Sequence, residues 1–208
     1  MTFQSTVSEA QFNQMFPNMK APYTYAVLVD QTNRRYPAFC SRGNPIQGQE
    51  AASFLANVSH ETGGLVYARE QNPGPNFCDT STGVSCPAGP AAYYGRGSLM
   101  LSWNYNYAAA SNDFNFDLLH NPDMAATDPI LVWRTGLWYW MTVNGAAAQT
   151  CHQAMQLSLG FGKTIKCING GLECGLNPQN PDAMHDRVNL YVQFGGMLGV
   201  DPGTNLTC

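Results

Sequence analysis

The stretch SFLANVSHETGG (residues 53–64) joins an apolar helical face to a carboxylate and a pair of glycines. In the predicted helix, residues 47–60, apolar side chains recur at i, i+3, i+4 and i+7, which is the spacing of one buried face. These side chains are Ala51, Phe54, Leu55 and Val58. Three residues beyond Val58 the same face reaches Glu61, so this carboxylate is predicted to point inward.

The two glycines that follow, Gly63 and Gly64, are predicted to end the helix and to leave Glu61 in its last turn. There the carboxylate meets unpaired carbonyl groups and the negative end of the helix dipole. Burial and the dipole both disfavour the anion, so we expect a raised pKa for Glu61, which suits a general acid. On helical spacing alone, a structural carboxylate held by an arginine is an equal alternative.

Composition limits the classes of partner. The 208 residues, 44% of them hydrophobic, predict one domain, residues 1–208. Charged residues make up only 12%, the net charge is −4 and no Lys/Arg run occurs, so nucleic acid is not an expected partner. No apolar run approaches the roughly 18 residues of a transmembrane helix, so no membrane partner is expected. The 12% of aromatic residues fit stacking on a neutral ligand, although a single ring is more often part of a core.

The seven cysteines, several near Gly, Pro or Asn, predict a disulfide framework and a secreted protein. The first residues lack a basic region followed by an apolar one, so we expect any signal peptide to be missing or removed. No Cys-x-x-Cys pair occurs, and His60-Glu61 is followed by Gly64 where a zinc-protease helix carries its second histidine. We therefore predict neither a metal nor another cofactor.

The chain as a whole predicts an α+β fold that is predominantly α-helical, with long polar loops. Further helices are predicted after the capping box at residues 8–11, near Pro22, after Asp128 and from Asp182. Strand signals are limited to residues 98–103 and the flank of Ile168. Residues 72–90, rich in Pro, Gly, Asn, Ser and Thr, predict a long loop.

A general acid that cleaves a glycosidic bond needs a second carboxylate across that bond. Glu9 and Glu50 fall on the polar faces of predicted helices and are expected at the surface, as is His152. Glu70, in VYAREQN, follows the glycine break where the chain turns back, which makes it a candidate to face Glu61 across a cleft. Taken alone, it also fits a surface acid beside Arg69.

Four blocks, in this order, together resemble the family 19 glycoside hydrolases, chiefly chitinases. They are FLANVSHETGG (54–64), YYGRGSLMLSWNYNY (93–107), INGGLECG (168–175) and DRVNLY (186–191), with LGVDPGTNLTC (198–208) closing the chain. The short path from Glu61 to Glu70 is similar to that of the compact bacterial members. The resemblance implies a lysozyme-like, two-lobed domain with a substrate cleft and a very small β element. It also implies cleavage of chitin or chitooligosaccharides within the chain, with inversion at the anomeric carbon. We expect the protein to be a monomer.

The resemblance also implies roles for individual residues. Glu61 matches the general acid, Glu70 the general base and Ser102 a serine that helps to hold the attacking water. The implied substrate-binding residues are Asn169, Asn106, Tyr105, Trp103 and Met100. The residues implied to support the acid are Glu173, Arg187 and His60. The uncharged chitin backbone suits a cleft lined by residues 103–106, although each ring could instead belong to the core.

The chain departs from the family pattern at one cleft position. Where the family usually has GRGPIQLS this chain has GRGSLMLS, so Met100 replaces a glutamine that bonds the sugar. Loss of one ordinary hydrogen bond, about 0.5–1.5 kcal/mol, is expected to weaken one subsite without abolishing hydrolysis.

Family bridges also have counterparts in this chain. The resemblance implies disulfides between Cys78 and Cys86 and between Cys174 and Cys208, suggests a third between Cys151 and Cys167, and leaves Cys40 unpaired. Connectivity does not follow from the sequence alone.

Two alternatives to a chitinase stay open at this point. One is a peptidoglycan-cleaving, lysozyme-like hydrolase, against which the net charge of −4 argues because bacterial walls are anionic. The other is a non-catalytic chitin-binding protein, with which Met100 is compatible.

Overall fold

The computed structural model describes residues 2–208, which form helices connected by long loops. In chain order the helices are α1 (Phe3–Thr6), α2 (Glu9–Met15), α3 (Tyr25–Arg34), α4 (Ile46–Thr62), α5 (Asn104–Phe114), α6 (Met124–Thr127), α7 (Leu131–Thr142), α8 (Cys151–Gln156), α9 (Phe161–Glu173) and α10 (Pro181–Leu198). A short 3₁₀ helix, Thr80–Thr82, lies in the loop before α5.

Helix α4 lies at the centre of the core, where α1, α8, α9 and α10 pack against it. Its predicted apolar face is fully buried. Gly63 ends the helix with φ +58°, a left-handed conformation that glycine adopts without a Cβ clash, and the N–H of Gly64 binds the carbonyl of Ser59 at 2.8 Å. The helix predicted over residues 47–60, and its glycine stop, are confirmed.

Two other predicted helix starts are confirmed by their caps. Ser8 and Gln11 form a reciprocal capping box at the start of α2. Asp128 accepts hydrogen bonds from two backbone N–H groups at the start of α7, at 2.8 and 3.0 Å. The helix predicted near Pro22 begins slightly later, at Tyr25.

The β element is smaller than the sequence predicted. Within residues 2–208 it consists of two isolated antiparallel bridges, Arg69 with Arg96 and Arg96 with Leu101. The prediction of a strand beside Ile168 was wrong, because this residue lies in α9. Phe161 and Ile165, one helical turn apart, are both buried and set the helical period of that segment.

The two disulfides implied by the family, Cys78–Cys86 and Cys174–Cys208, are formed. The suggested bridge between Cys151 and Cys167 is wrong, since both residues are buried free thiols, as is Cys40. Burial, followed by the neighbouring Cys167 thiol, raises the pKa of Cys151 well above its usual value. A thiol that stays protonated lacks the thiolate needed for disulfide exchange.

Glu50 and His152 were wrongly predicted to lie at the surface. Glu50 is fully buried, and its carboxylate accepts hydrogen bonds from the backbone N–H of Cys40 (3.1 Å), the indole of Trp140 (3.1 Å) and the amide of Gln156 (2.8 Å). The Nδ1 atom of His152 also contacts this carboxylate. The charge is tolerated in the core because four partners from three segments surround it, two of them in α8.

No helix in the described part of the chain combines the length and apolar character that a membrane span requires.

Candidate active site

A cleft of about 780 Å³ crosses the surface beyond the end of α4. It brings together every residue for which the sequence implied a catalytic or substrate-binding role: Glu61, Glu70, Met100, Ser102, Trp103, Tyr105, Asn106 and Asn169. These residues come from α4, the segment after it, the loop that precedes α5, the start of α5 and α9, so the fold assembles the cleft from distant parts of the chain.

The carboxylate of Glu61 is held by an ionic network at the junction of α4, α9 and α10. Arg187 donates to Glu61 Oε1 through Nη2. It also donates to both carboxylate oxygens of Glu173, through Nε and through Nη2, and both of these hydrogen bonds are 2.8 Å long. Asn57 accepts from the third guanidinium nitrogen at 3.0 Å, and Asn169 donates to Glu173 at 2.7 Å. Arg187 therefore contacts Glu61 directly, and Glu173 is connected to Glu61 through Arg187.

Glu61 is both paired with an arginine and accessible from the cleft. An arginine holds its carboxylate, yet the side chain is 17% exposed and lines the cleft, whereas Glu173 is fully buried. Burial lowers the pKa of Arg187, but the charges of Glu61 and Glu173 outweigh it and leave this pKa raised. The guanidinium therefore stays charged and shared between two carboxylates.

His60 supports the packing of α4 against α10 and does not contact Glu61 directly. Its Nδ1 atom lies 2.6 Å from Asp186 Oδ2 on α10. His60 and Glu61 thus contact different residues of α10, Asp186 and Arg187, and of the two only Glu61 lines the cleft.

Glu70 is fixed by the backbone of the loop that precedes α5. Its N–H donates to the carbonyl of Gly95 at 2.9 Å, and the Gly95 N–H donates to Glu70 Oε2 at 3.1 Å. Glu70 is half-buried, and the neighbouring Arg69 lies 3.6 Å from Asp123 Oδ1 rather than pairing with Glu70. The second carboxylate oxygen, Oε1, has no such backbone contact.

Ser102 and Met100 share one tight turn. The Ser102 hydroxyl donates to the Met100 carbonyl at 2.9 Å, which leaves the lone pairs of that hydroxyl free to accept. Asn106 donates to the Ser102 carbonyl at 2.8 Å. Met100 (φ +45°) and Trp103 (φ +76°) both adopt left-handed backbone conformations, which are costly for residues with a Cβ.

Two aromatic rings form a stacking surface in the cleft. Trp103, 38% exposed, lies nearly parallel to Tyr105, with an interplanar angle of 12°. Asn104 does not line the cleft as predicted, because it is buried and binds the backbone of Asp79 and Val84 through its amide. Asn104 therefore anchors the loop that the Cys78–Cys86 disulfide closes.

Sequence reasoning missed several further residues that line the cleft, among them Tyr67, Tyr139 and Leu172. The position of Tyr67 shortly after the glycines that end α4 was a usable signal. Tyr139 lies in α7, where no local pattern directs it to a site formed with α4, whereas Leu172 lies in α9 within the block INGGLECG and was reachable from that motif. Within residues 2–208, no cluster of three or more His, Cys, Asp or Glu side chains that could hold a metal ion is present.

Comparison with known proteins identifies the family. The model of the family described as chitinase class I, glycoside hydrolase family 19, matches residues 6–208. The chain belongs to this family.

Plant relatives within glycoside hydrolase family 19 match most of the chain. Endochitinase A of Zea mays is 43% identical over 188 residues, which cover 89% of this chain and 62% of that protein. Chitinase 4 of Oryza sativa subsp. japonica is 41% identical and is matched over 100% of this chain and 72% of its own length. The chain thus spans less than two thirds of the first of these relatives.

Solved structures of family 19 proteins agree with the fold. Chitinase C from Streptomyces griseus HUT6037 matches with a TM-score of 0.91 and 51% identity, covering 98% of this chain and 97% of that one. A class IV chitinase of this family from Zea mays matches with a TM-score of 0.84 and 39% identity, covering 100% of both chains. The predicted lysozyme-like, predominantly helical fold class is confirmed.

Proposed function

We propose that the protein hydrolyses β-1,4-linked N-acetylglucosamine polymers of the chitin type, with Glu61 as general acid and Glu70 as general base. The observation that carries the proposal is that both glutamates line one cleft in a chain of the chitinase class I family. The names of the relatives, endochitinases among them, favour cleavage within the polymer.

The network around Glu61 supports its role as the acid. Two carboxylates, Glu61 and Glu173, share the single guanidinium of Arg187, so the ionised cluster carries one surplus negative charge. Glu173 is fully buried, whereas Glu61 reaches the cleft and can pass a proton to a substrate.

The setting of Glu70 supports its role as the base. The Gly95 N–H occupies Oε2 and leaves Oε1 to accept a proton from water, and the Ser102 hydroxyl has lone pairs that can accept from the same water. In the reaction, the water oxygen bonds to the anomeric carbon as the glycosidic bond breaks. Glu61 gives its proton to the departing oxygen, and Glu70 takes one from the water. Such a single displacement inverts the anomeric centre and needs carboxyl groups about 6.5–9.5 Å apart.

The cleft surface suits an uncharged polysaccharide. The parallel rings of Trp103 and Tyr105 offer flat apolar faces, and Asn106 and Asn169 supply amides to the same cleft. The two disulfides support an extracellular location, since such bridges persist in oxidising compartments.

The proposal is tested by incubating the protein with chitohexaose and, separately, with bacterial cell walls. We expect chitohexaose to be cleaved, and the Glu61→Gln variant to lose at least about 100-fold in rate, as expected for removal of a general acid. Glu9→Gln, an exposed change on α2, serves as the matched control and should leave the rate unchanged. Cleavage of cell walls but not of chitohexaose would indicate a peptidoglycan hydrolase. Binding of chitohexaose without cleavage would indicate a binding protein. Either result would contradict the proposal.

A further inference from the structure

We infer that Arg96 is the positioning residue for Glu70 and acts on it through the backbone of Gly95. The inference rests on the proposed role of Glu70 as general base. Arg96 is only 3% exposed and is not among the residues that line the cleft, so it cannot serve as a substrate contact.

The backbone of Arg96 is the middle member of the small β element. It pairs with Leu101 through two hydrogen bonds, Arg96 N–H to Leu101 O at 3.2 Å and Leu101 N–H to Arg96 O at 2.7 Å. On its other side it bridges to Arg69. The flanking bonds of that bridge run from the Gly97 N–H to Ala68 O at 3.0 Å and from the Glu70 N–H to Gly95 O at 2.9 Å. Arg96 therefore connects the segment that carries Glu70 to the turn that carries Ser102.

The guanidinium of Arg96 fixes this element to the rest of the fold. Its Nε and Nη2 bind Asp123 Oδ1 at 2.9 and 2.8 Å. Its Nη1 binds the carbonyls of Ala92 (2.7 Å) and Tyr94 (3.1 Å) and the hydroxyl of Tyr107 (3.1 Å), a fully buried residue of α5. The guanidinium also lies over the ring of Tyr94, 3.7 Å from its centre.

Gly95 transmits this anchoring to the carboxylate. Gly95 lies between Tyr94, whose carbonyl the Arg96 guanidinium binds, and Arg96 itself, and the Gly95 N–H points at Glu70 Oε2. A Cβ atom at this position would lie 3.4 Å from Glu70 Oε2 and 3.0 Å from the Cβ of Met100, so the loop is packed tightly on the carboxylate. A shift of the loop would therefore move Glu70 relative to the attacking water.

Lysine cannot reproduce the anchor. Arg96 uses three nitrogens in fixed directions towards four partners, whereas a lysine offers one rotatable ammonium group. The Arg96 guanidinium binds Asp123, which also lies 3.6 Å from Arg69, and reaches Glu70 only through the backbone, so the role that we assign is geometric. A conservative Arg96→Lys change should accordingly give partial, not full, function.

The test is steady-state kinetics on chitohexaose with Arg96→Met and Arg96→Lys. Misplacement of a reacting group by about 1 Å costs roughly 100-fold, so we expect a loss of about that size in kcat for Arg96→Met, with KM changing far less. Arg96→Lys should lose less. Arg34→Met, an 82% exposed site on α3, is the control and should keep the parent kcat.

Measuring Arg96→Lys in a Glu70→Gln protein distinguishes an effect on the position of Glu70 from a general disturbance of the active site. If Arg96 acts through Glu70, adding Arg96→Lys to Glu70→Gln should cause no further loss in the residual rate. Equal losses from Arg96→Lys in both backgrounds, or a folded Arg96→Met protein with the parent kcat, would overturn the inference. A parent protein that does not cleave chitohexaose would contradict the proposed function instead.

Two further measurements keep the inference testable if Arg96→Met does not fold or the parent is inactive. In Gly95→Ala the new Cβ atom would lie 3.4 Å from Glu70 Oε2, and we expect this variant to have a lower kcat. In Gly43→Ala the new Cβ atom would have no neighbour within 4 Å, and kcat should not change. A crystal structure of Arg96→Lys should show Glu70 Oε2 displaced from the Gly95 N–H. An unchanged contact there would overturn the inference whatever the activity.

Discussion

Arg187 of α10 binds the carboxylate of Glu61 at the end of α4 through a guanidinium that is itself almost completely buried. Helices α4 and α10 form the most extensive packing contact between helices of the fold. The residue proposed as the acid is therefore tied to the centre of the core, and its position depends on the stability of this junction.

Replacing Arg187 by Met should destabilise the protein strongly. The substitution would leave the fully buried Glu173 carboxylate without its ionic partner, which typically costs about 3–5 kcal/mol. Urea unfolding would measure the change in the free energy of unfolding. Arg34→Met, at an exposed ion pair, should change it by no more than about 1 kcal/mol, and equal effects at the two sites would contradict the role given to the network.

Glu50→Gln should also destabilise the fold, although it lies far from the proposed chemistry. The new NH₂ group would face donors that now bind a carboxylate, and hydrogen bonds to charged groups are worth about 1.5–3 kcal/mol. The exposed Glu9→Gln on α2 should cost less than about 1 kcal/mol. Thermal melting of both variants would compare them, and a stable Glu50→Gln protein would argue against the buried network.

Met100→Gln should strengthen substrate binding. Met100 lines the cleft with an apolar side chain, and a glutamine there could add one hydrogen bond worth about 0.5–1.5 kcal/mol, or roughly a two- to tenfold lower KM. Leu157→Gln, at an exposed site outside the cleft, is the control. A KM for chitohexaose that stays at the parent value or rises would contradict the expected loss of a sugar contact at this position.

The two disulfides should contribute unequally to stability. Cys174 and Cys208 are 34 residues apart and Cys78 and Cys86 are 8 apart, so the chain-entropy model assigns them about 4 and about 2.5 kcal/mol respectively. Unfolding of the two double Cys→Ser variants in guanidinium would measure the difference. A larger loss from the shorter loop would show that the loop entropy is not the controlling factor.

Local pattern predicted the parts of the fold that depend on local interactions. The apolar period of α4, its glycine stop and the capping box of Ser8 and Gln11 all involve residues within a few positions of one another. Most cleft residues could be predicted from the resemblance to the family, because the motifs that contain them are continuous in sequence.

Long-range contacts account for the wrong predictions. The partners of Glu50 lie between 10 and 106 residues away, so a helical pattern could not show that this polar position is enclosed. Asn104 was assigned to the cleft for its chemistry, but its amide satisfies the backbone of a loop more than 20 residues earlier. The bond between Glu70 and Gly95 is equally non-local, which is why Arg96 drew no attention as a functional residue.

The central claim is that Glu61 protonates the leaving group while Glu70 activates a water, in a single displacement. The most direct test is ¹H NMR of the first product released from chitohexaose, recorded before mutarotation. We expect the new reducing end to appear as the α-anomer, since a single displacement inverts the configuration of a β-linkage. Initial release of the β-anomer would contradict it.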